Sequence, residues 1–185
     1  MRKFTWLLAL GLFLAIPARG QETPQLEVFA GGGYAKGDLG GADLNLYGWN
    51  GAVTENLNSW FGGTADFSGW YGRETQLDAG GNPVKVNVSA HTFMFGPHFA
   101  YRKSGGFTPF AHVLLGGVRA SQGYIGISQD ATKFAAAFGG GIDIKLSQHV
   151  AVRVIQAEYW VTPFFGLRQD NIRVTAGVVF RFGKK

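Results

Sequence analysis

Along most of the chain, apolar residues recur at every second position, in blocks of about ten residues. The last block is the clearest. Between residues 171 and 182, Ile172, Val174, Ala176, Val178, Phe180 and Phe182 share one parity, and Arg173, Thr175, Gly177, Val179 and Arg181 share the other. A side-chain period of two makes a β-strand with two unlike faces. Here one face is continuous hydrocarbon and the other is charged, small or mixed. The same alternation predicts strands over residues 26–35, 44–54, 60–71, 88–102, 108–121, 133–146, 150–162 and 171–182. Each block is long enough to cross a bilayer as a tilted strand. The predicted fold class is all-β: an eight-stranded antiparallel up-and-down transmembrane β-barrel.

Two positions resist the pattern. Pro97 falls inside the fourth strand and has no ladder donor, so a bulge or a local break in pairing is expected there. Arg153 falls on the apolar parity of the seventh strand. It either reaches the membrane edge or sits beside a bulge that shifts the register.

The segments between strands alternate in length. Residues 36–43, 72–87, 122–132 and 163–170 read as long loops, and those following the even strands read as turns of a few residues. Bacterial outer-membrane barrels have this asymmetry, with long loops outside and short turns in the periplasm. Deleting 72–87 or 122–132 is then expected to leave folding intact, because the sheet alone would hold the barrel.

Composition supports this picture. The chain has 29 Gly and 15% aromatic residues, but only 16% charged residues, against about 25% in soluble domains. It has no Cys, which excludes disulfides and thiolate metal sites. Residues 1–20 have the three parts of a cleaved secretory signal: basic Arg2-Lys3, an apolar run from Phe4 to Ile16, and Ala18 and Gly20 before a cleavage point at Gln21. The mature domain is then 21–185. The signal holds three of the 17 basic residues and no acid, which leaves 14 basic against 12 acidic residues, a net of +2. With no basic cluster either, the charge gives no support for a nucleic-acid partner.

The secretion signal, the eight amphipathic strands and the aromatic-rich end G-V-V-F-R-F resemble the outer-membrane β-barrel domain family, the small OmpA/OmpX-like eight-stranded barrels. The resemblance spans roughly residues 25–182. It implies insertion in the outer membrane as a monomer in contact with lipid. It also implies recognition by the barrel-assembly machinery through a C-terminal signal at Val178, Phe180 and Phe182, although Gly183-Lys184-Lys185 follow the last aromatic residue. The peptidoglycan-binding role of full-length OmpA is not expected to transfer, since no such domain follows.

Eight strands enclose a lumen that side chains fill. The polar residues expected inside are Glu27, Asp66, His98, His112, Asp143, Lys145, Gln156, Glu158, Arg173 and Arg181, forming ion pairs that plug the barrel. The implied role is structural or surface-interacting, with no catalysis, cofactor or metal. Several alternatives stay open: a narrow pore, a loop-mediated adhesin with an extracellular partner, a lipid-modifying enzyme and a soluble lipocalin-like binder. His91 and Ser89 share a face near the loop end of strand four, which is the most an enzyme reading has to offer. No G-x-S-x-G elbow and no acid accompany them. The triplets Gly31-Gly32-Gly33 and Gly139-Gly140-Gly141 precede no helix, so they read as close strand packing and not as a phosphate loop. Trp49, Trp60, Trp70, Tyr71, Tyr101, Tyr159 and Trp160 are the candidates for aromatic girdles.

Overall fold

The computed structural model describes residues 23–39, 42–77, 81, 83–103, 106–124, 127–164 and 167–184. The predicted signal, residues 1–20, lies outside them. Eight strands follow in order: β1 (Leu26–Leu39), β2 (Ala42–Asn56), β3 (Phe61–Leu77), β4 (Pro83–Ala100), β5 (Phe107–Tyr124), β6 (Ile127–Lys145), β7 (Val150–Phe164) and β8 (Leu167–Phe182). Each pairs antiparallel with its neighbours in sequence, and β8 closes on β1 from Leu26↔Phe182 to Lys36↔Ile172. Closure leaves no open edge, the condition for a sheet to stand in hydrocarbon.

The strands run past the predicted ends on the loop side. Residues expected as loops are ladder: Lys36↔Asn45 in β1–β2, Thr75↔Lys85 in β3–β4, Gln122↔Gln129 in β5–β6 and Pro163↔Arg168 in β7–β8. The period-two signal fades there because beyond the bilayer neither face must be apolar, while backbone pairing continues. The loop-deletion expectation therefore needs correcting. Removing 72–87 would take out paired strand as well as a loop.

Pro97 sits at a local break without a bulge. It pairs with Gly63 on β3, but on the β5 side the ladder skips from Phe95↔Leu115 to His98↔His112 with its register unchanged. The missing donor thus falls in the gap. Beside it the sheet is drawn tight, since a Cβ on Gly96 would lie 1.9 Å from the Val113 carbonyl oxygen.

Arg153 lies beside a bulge. The β6–β7 register shifts between Ile142 and Asp143, and the β7–β8 register shifts between Arg153 and Gln156. Val154 and Ile155 both point outward and are exposed. The extra residue returns Arg153 to the inner face, where it is buried.

The outer wall carries the apolar parity. Phe67, Phe93, Phe95, Leu115, Phe134 and Phe138 are exposed to the surroundings of the barrel, as a lipid-facing sheet requires. Aromatics gather at both ends. Trp60 stacks on Phe99 at 6.2 Å near the turns, and Tyr34 meets Tyr47 at 5.4 Å near the far end. Trp49, Tyr71 and Tyr101 also face outward and are exposed. Trp70 and Trp160 do not join the girdles. Both lie on inner parity and are buried in the lumen.

Candidate functional site: the filled lumen

The inner faces bring together four buried carboxylates (Glu27, Asp66, Asp143 and Glu158) and four buried guanidiniums (Arg102, Arg153, Arg173 and Arg181) among the described residues. Water cannot solvate them, so each must be paired and hydrogen-bonded.

The central cluster is built on Arg173 of β8, which is 0% exposed. Its Nη2 donates to Glu158 Oε1 at 2.6 Å, and its Nε also donates to Glu158. Its Nη1 donates to Asp66 Oδ1 and to Ser68 Oγ, each at 3.1 Å. One fork thus holds carboxylates from β3 and β7. Asn50 Nδ2 donates to Asp66 Oδ2 at 2.8 Å. Gln156 Nε2 donates to Glu158 Oε2 at 3.0 Å, and His112 Nε2 lies 2.8 Å from Glu158 Oε1. Five of the eight strands meet here.

Arg153 extends the network toward the turns. Its Nε and Nη2 reach the two oxygens of Asp143 at 2.8 and 3.1 Å, and its Nη1 donates to Gln156 Oε1 at 2.6 Å. Its flat guanidinium lies between Phe29 and Phe110, 4.5 and 4.1 Å from their ring centroids, where the ring faces attract a cation. His98 stacks on Phe110 at 5.1 Å.

A third cluster closes the turn end. Glu27 accepts from Arg102 Nη2 at 2.6 Å, from Arg181 Nε at 3.0 Å and from Asn56 Nδ2 at 3.0 Å. Arg102 also donates to the Ser59 carbonyl at 3.0 Å.

The outer half of the lumen is apolar. Trp70 and Trp160 meet edge to face at 6.0 Å, and Trp160 lies 4.6 Å from the Arg173 guanidinium carbon. Leu46, Val86, Val88, Met94, Leu114, Val118, Ala135 and Ala137 pack around them. Met94 and Leu114 are 0% exposed.

Nine of the ten residues expected inside are buried there. Lys145 is the exception. It keeps inner parity but ends β6, so its ammonium stays exposed at the mouth. The expected inward set omitted Arg102, Asn50 and Asn56, and Arg153 joins it through the bulge that was one of its two expected readings. Asn50 and Arg102 stand on inner parity, so alternation alone would have found them. Arg153 needed the bulge.

His91 and Ser89 stand on the outer parity of β4 and not in the lumen. His91 Nε2 is 3.0 Å from Tyr71 Oη, and the two rings meet edge to face at 5.6 Å. Among the described residues, no group of three or more His, Asp or Glu side chains is placed to hold a metal ion.

A closed eight-stranded barrel with aromatic girdles and an apolar outer wall narrows the choice to membrane barrels. The sequence profile of the "Outer membrane protein beta-barrel domain" family matches residues 5–182. The chain belongs to this outer-membrane β-barrel family. No curated protein sequence matches it. The fold is similar to Neisserial surface protein A, with a TM-score of 0.66 at 13% identity over 88% of this chain and all of that one. It is similar to the attachment invasion locus protein Ail of Yersinia pestis, with a TM-score of 0.56 at 18% identity over 84% of this chain and 97% of that one. The N-terminal barrel domain of Pseudomonas aeruginosa OprF gives a TM-score of 0.55 at 16% identity over 88% of this chain and all of that one. Family membership implies the outer membrane as the location. In such barrels the short turns face the periplasm and the longer hairpins face outward.

Proposed function

We propose that this outer-membrane protein is a plugged barrel with a structural or surface-interacting role that neither conducts nor catalyses. Its secretion by a cleaved signal ending at Gly20 is part of the same reading. The observation that carries it is the filled lumen. Ion-paired clusters block the turn half, and the Trp70–Trp160 plug blocks the outer half. For water or an ion to pass, it would have to displace Arg173 from two carboxylates. His91 gives a hydrolase little to work with, because the ring nitrogen nearest a neighbour is engaged by the Tyr71 hydroxyl on the outer wall. The extended hairpins β3–β4 and β5–β6 are where a surface partner would bind, since contact residues concentrate at the free ends of rigid scaffolds.

In a planar bilayer, the protein is expected to give no unitary conductance steps at moderate voltage. Uniform, reproducible steps from pure protein would overturn the plugged reading and favour the narrow pore.

Val178, Phe180 and Phe182 lie exposed along the outer face of β8 and serve in this proposal as the signal for the assembly machinery. Phe182→Ala is expected to lower the amount of assembled barrel in cells several-fold, while refolding in detergent keeps its yield. An equal loss in both settings would assign Phe182 to stability alone.

A further inference from the structure

His98, on the inner face of β4, is 3% exposed. Among the described residues it is the one buried titratable side chain held by ring stacking and not by an ion pair. Its imidazole lies nearly parallel to the Phe110 ring, at 23° and 5.1 Å between centroids. Across the β4–β5 ladder it faces His112, with 6.2 Å between the rings. The same Phe110 ring carries the Arg153 guanidinium, 4.1 Å from its centroid.

The charged and titratable groups around His98 are Arg153 of β7, Glu27 of β1, His112 of β5 and Arg102 just after β4. Glu27 is the single acid in that set, and it already serves Arg102 and Arg181. The next carboxylates are engaged as well. Arg153 holds both oxygens of Asp143, and Arg173 and His112 hold Glu158. A neutral imidazole fits this place. An imidazolium would stand beside two guanidiniums, in a lumen closed to water, with each neighbouring carboxylate already paired.

We propose that His98 is an acid trigger built into the turn half of the plug: the neutral ring completes the stack, and its protonation breaks the stack and destabilises the closed barrel. The unfolded chain takes up a proton at this histidine as pH falls through about 6.5. The closed barrel does so only by giving up the stack. The unfolded state then binds more protons, so stability is fully present above that pH and is lost below it. The turns face the periplasm, which makes that compartment the source of the proton. The trigger acts whether or not the lumen conducts.

The test is urea unfolding of the barrel refolded in detergent micelles, at about pH 7.5 and about pH 5, on opposite sides of the ordinary histidine value. The wild type is compared with His98→Gln and with a control, His91→Gln plus His149→Gln, whose two rings are exposed. The wild-type midpoint is expected to fall by about 1 M urea between the two conditions, the effect of one extra proton on the unfolded chain. The control is expected to fall as far, and His98→Gln by less than about a third as much. An equal fall in His98→Gln would overturn the trigger. A second measurement needs no variant to fold. In proton NMR of the wild-type barrel, the assigned ring signal of His98 is expected to stay fixed while those of His91 and His149 shift through about pH 6.5. A His98 signal that titrates together with theirs would equally overturn it.

Discussion

Replacing Arg173 with Met is expected to lower the unfolding free energy of the barrel by about 3–5 kcal/mol, the cost of removing one partner from a buried ion pair. The side chain is 0% exposed and serves two carboxylates, Asp66 and Glu158. Met fills much of the same volume but donates nothing. Both acids would then stand unpaired in a site closed to water, between Asn50, Gln156 and His112 on one side and the two tryptophans on the other. In urea titrations from detergent micelles, with a slope of about 1–3 kcal/mol/M, the midpoint is expected to fall by more than about 1 M. The cause is separable from simple loss of packing. Adding Asp66→Asn and Glu158→Gln to Arg173→Met removes the stranded charges while keeping carbonyl acceptors for Asn50 and Gln156. This triple variant is expected to recover at least half of the loss, since replacing a whole buried ion cluster is often close to neutral. If Arg173→Met alone matched the wild type, the cluster would contribute nothing to holding β3, β7 and β8 together. If the triple variant were no better than the single one, the loss would come from shape and not from charge.

The alternation that made this cluster predictable reaches only as far as membrane and lumen enforce it. In β5, Val113 and Leu115 face out while His112 and Leu114 are buried. In β6, Phe134 and Phe138 face out while Ala135, Ala137 and Asp143 are buried. Lipid on one side and a packed lumen on the other leave a strand no choice of face. Above the membrane that pressure ends, and so does the signal. Gln76↔Val84 and Ser121↔Asp130 are paired backbone in stretches whose composition reads as loop. Trp70 and Trp160 show a different failure. Both sit on the inner parity, yet residue type suggested the girdle. A tryptophan inside a small barrel is explained only by its neighbours, namely the Arg173 guanidinium and the Ser68 hydroxyl that accepts from Trp70 Nε1 at 2.7 Å. Glu27 was expected inside, but the convergence of Arg102, Arg181 and Asn56 on it depends on how β1 meets the ends of β2, β4 and β8. Sequence spacing carries no information about that stagger.

Arg153 is where strict alternation fails, and it separates the two effects of a one-residue deletion. Deleting Val154 is expected to be tolerated. Val154 is the extra residue of the bulge. Without it, Gln156, Arg153 and Ala151 remain on the inner face and Ile155 and Val152 on the outer, and both ladders run through in one register. Ile142↔Ile155 would lead directly to Asp143↔Arg153 on the β6 side, and Arg153↔Gly177 to Ile155↔Ala176 on the β8 side. Every inward contact keeps its parity and only local twist is lost, so the expected cost is at most about 2 kcal/mol. Deleting Ala176 in β8 removes an outward residue of similar size from a stretch with no bulge to absorb the change. One half of the strand must then reverse its faces. If the far half turns, Arg173 enters lipid and abandons Asp66 and Glu158. If the turn half turns, Arg181 enters lipid, leaves Glu27 to Arg102, and sends Phe180 and Phe182 into the lumen. Arginine on the lipid face costs about 2–4 kcal/mol at the bilayer midplane, and either stranded cluster adds about 3–5 kcal/mol. Together these rival the whole stability of a typical domain. Refolded side by side, the Val154 deletion is expected to show the boiling-dependent gel shift of a closed barrel, and the Ala176 deletion is expected to run as unfolded chain at either temperature. A folded Ala176 deletion would mean that buried charge does not set the register of β8. An unfolded Val154 deletion would mean that the bulge holds barrel curvature in addition to turning Arg153 inward.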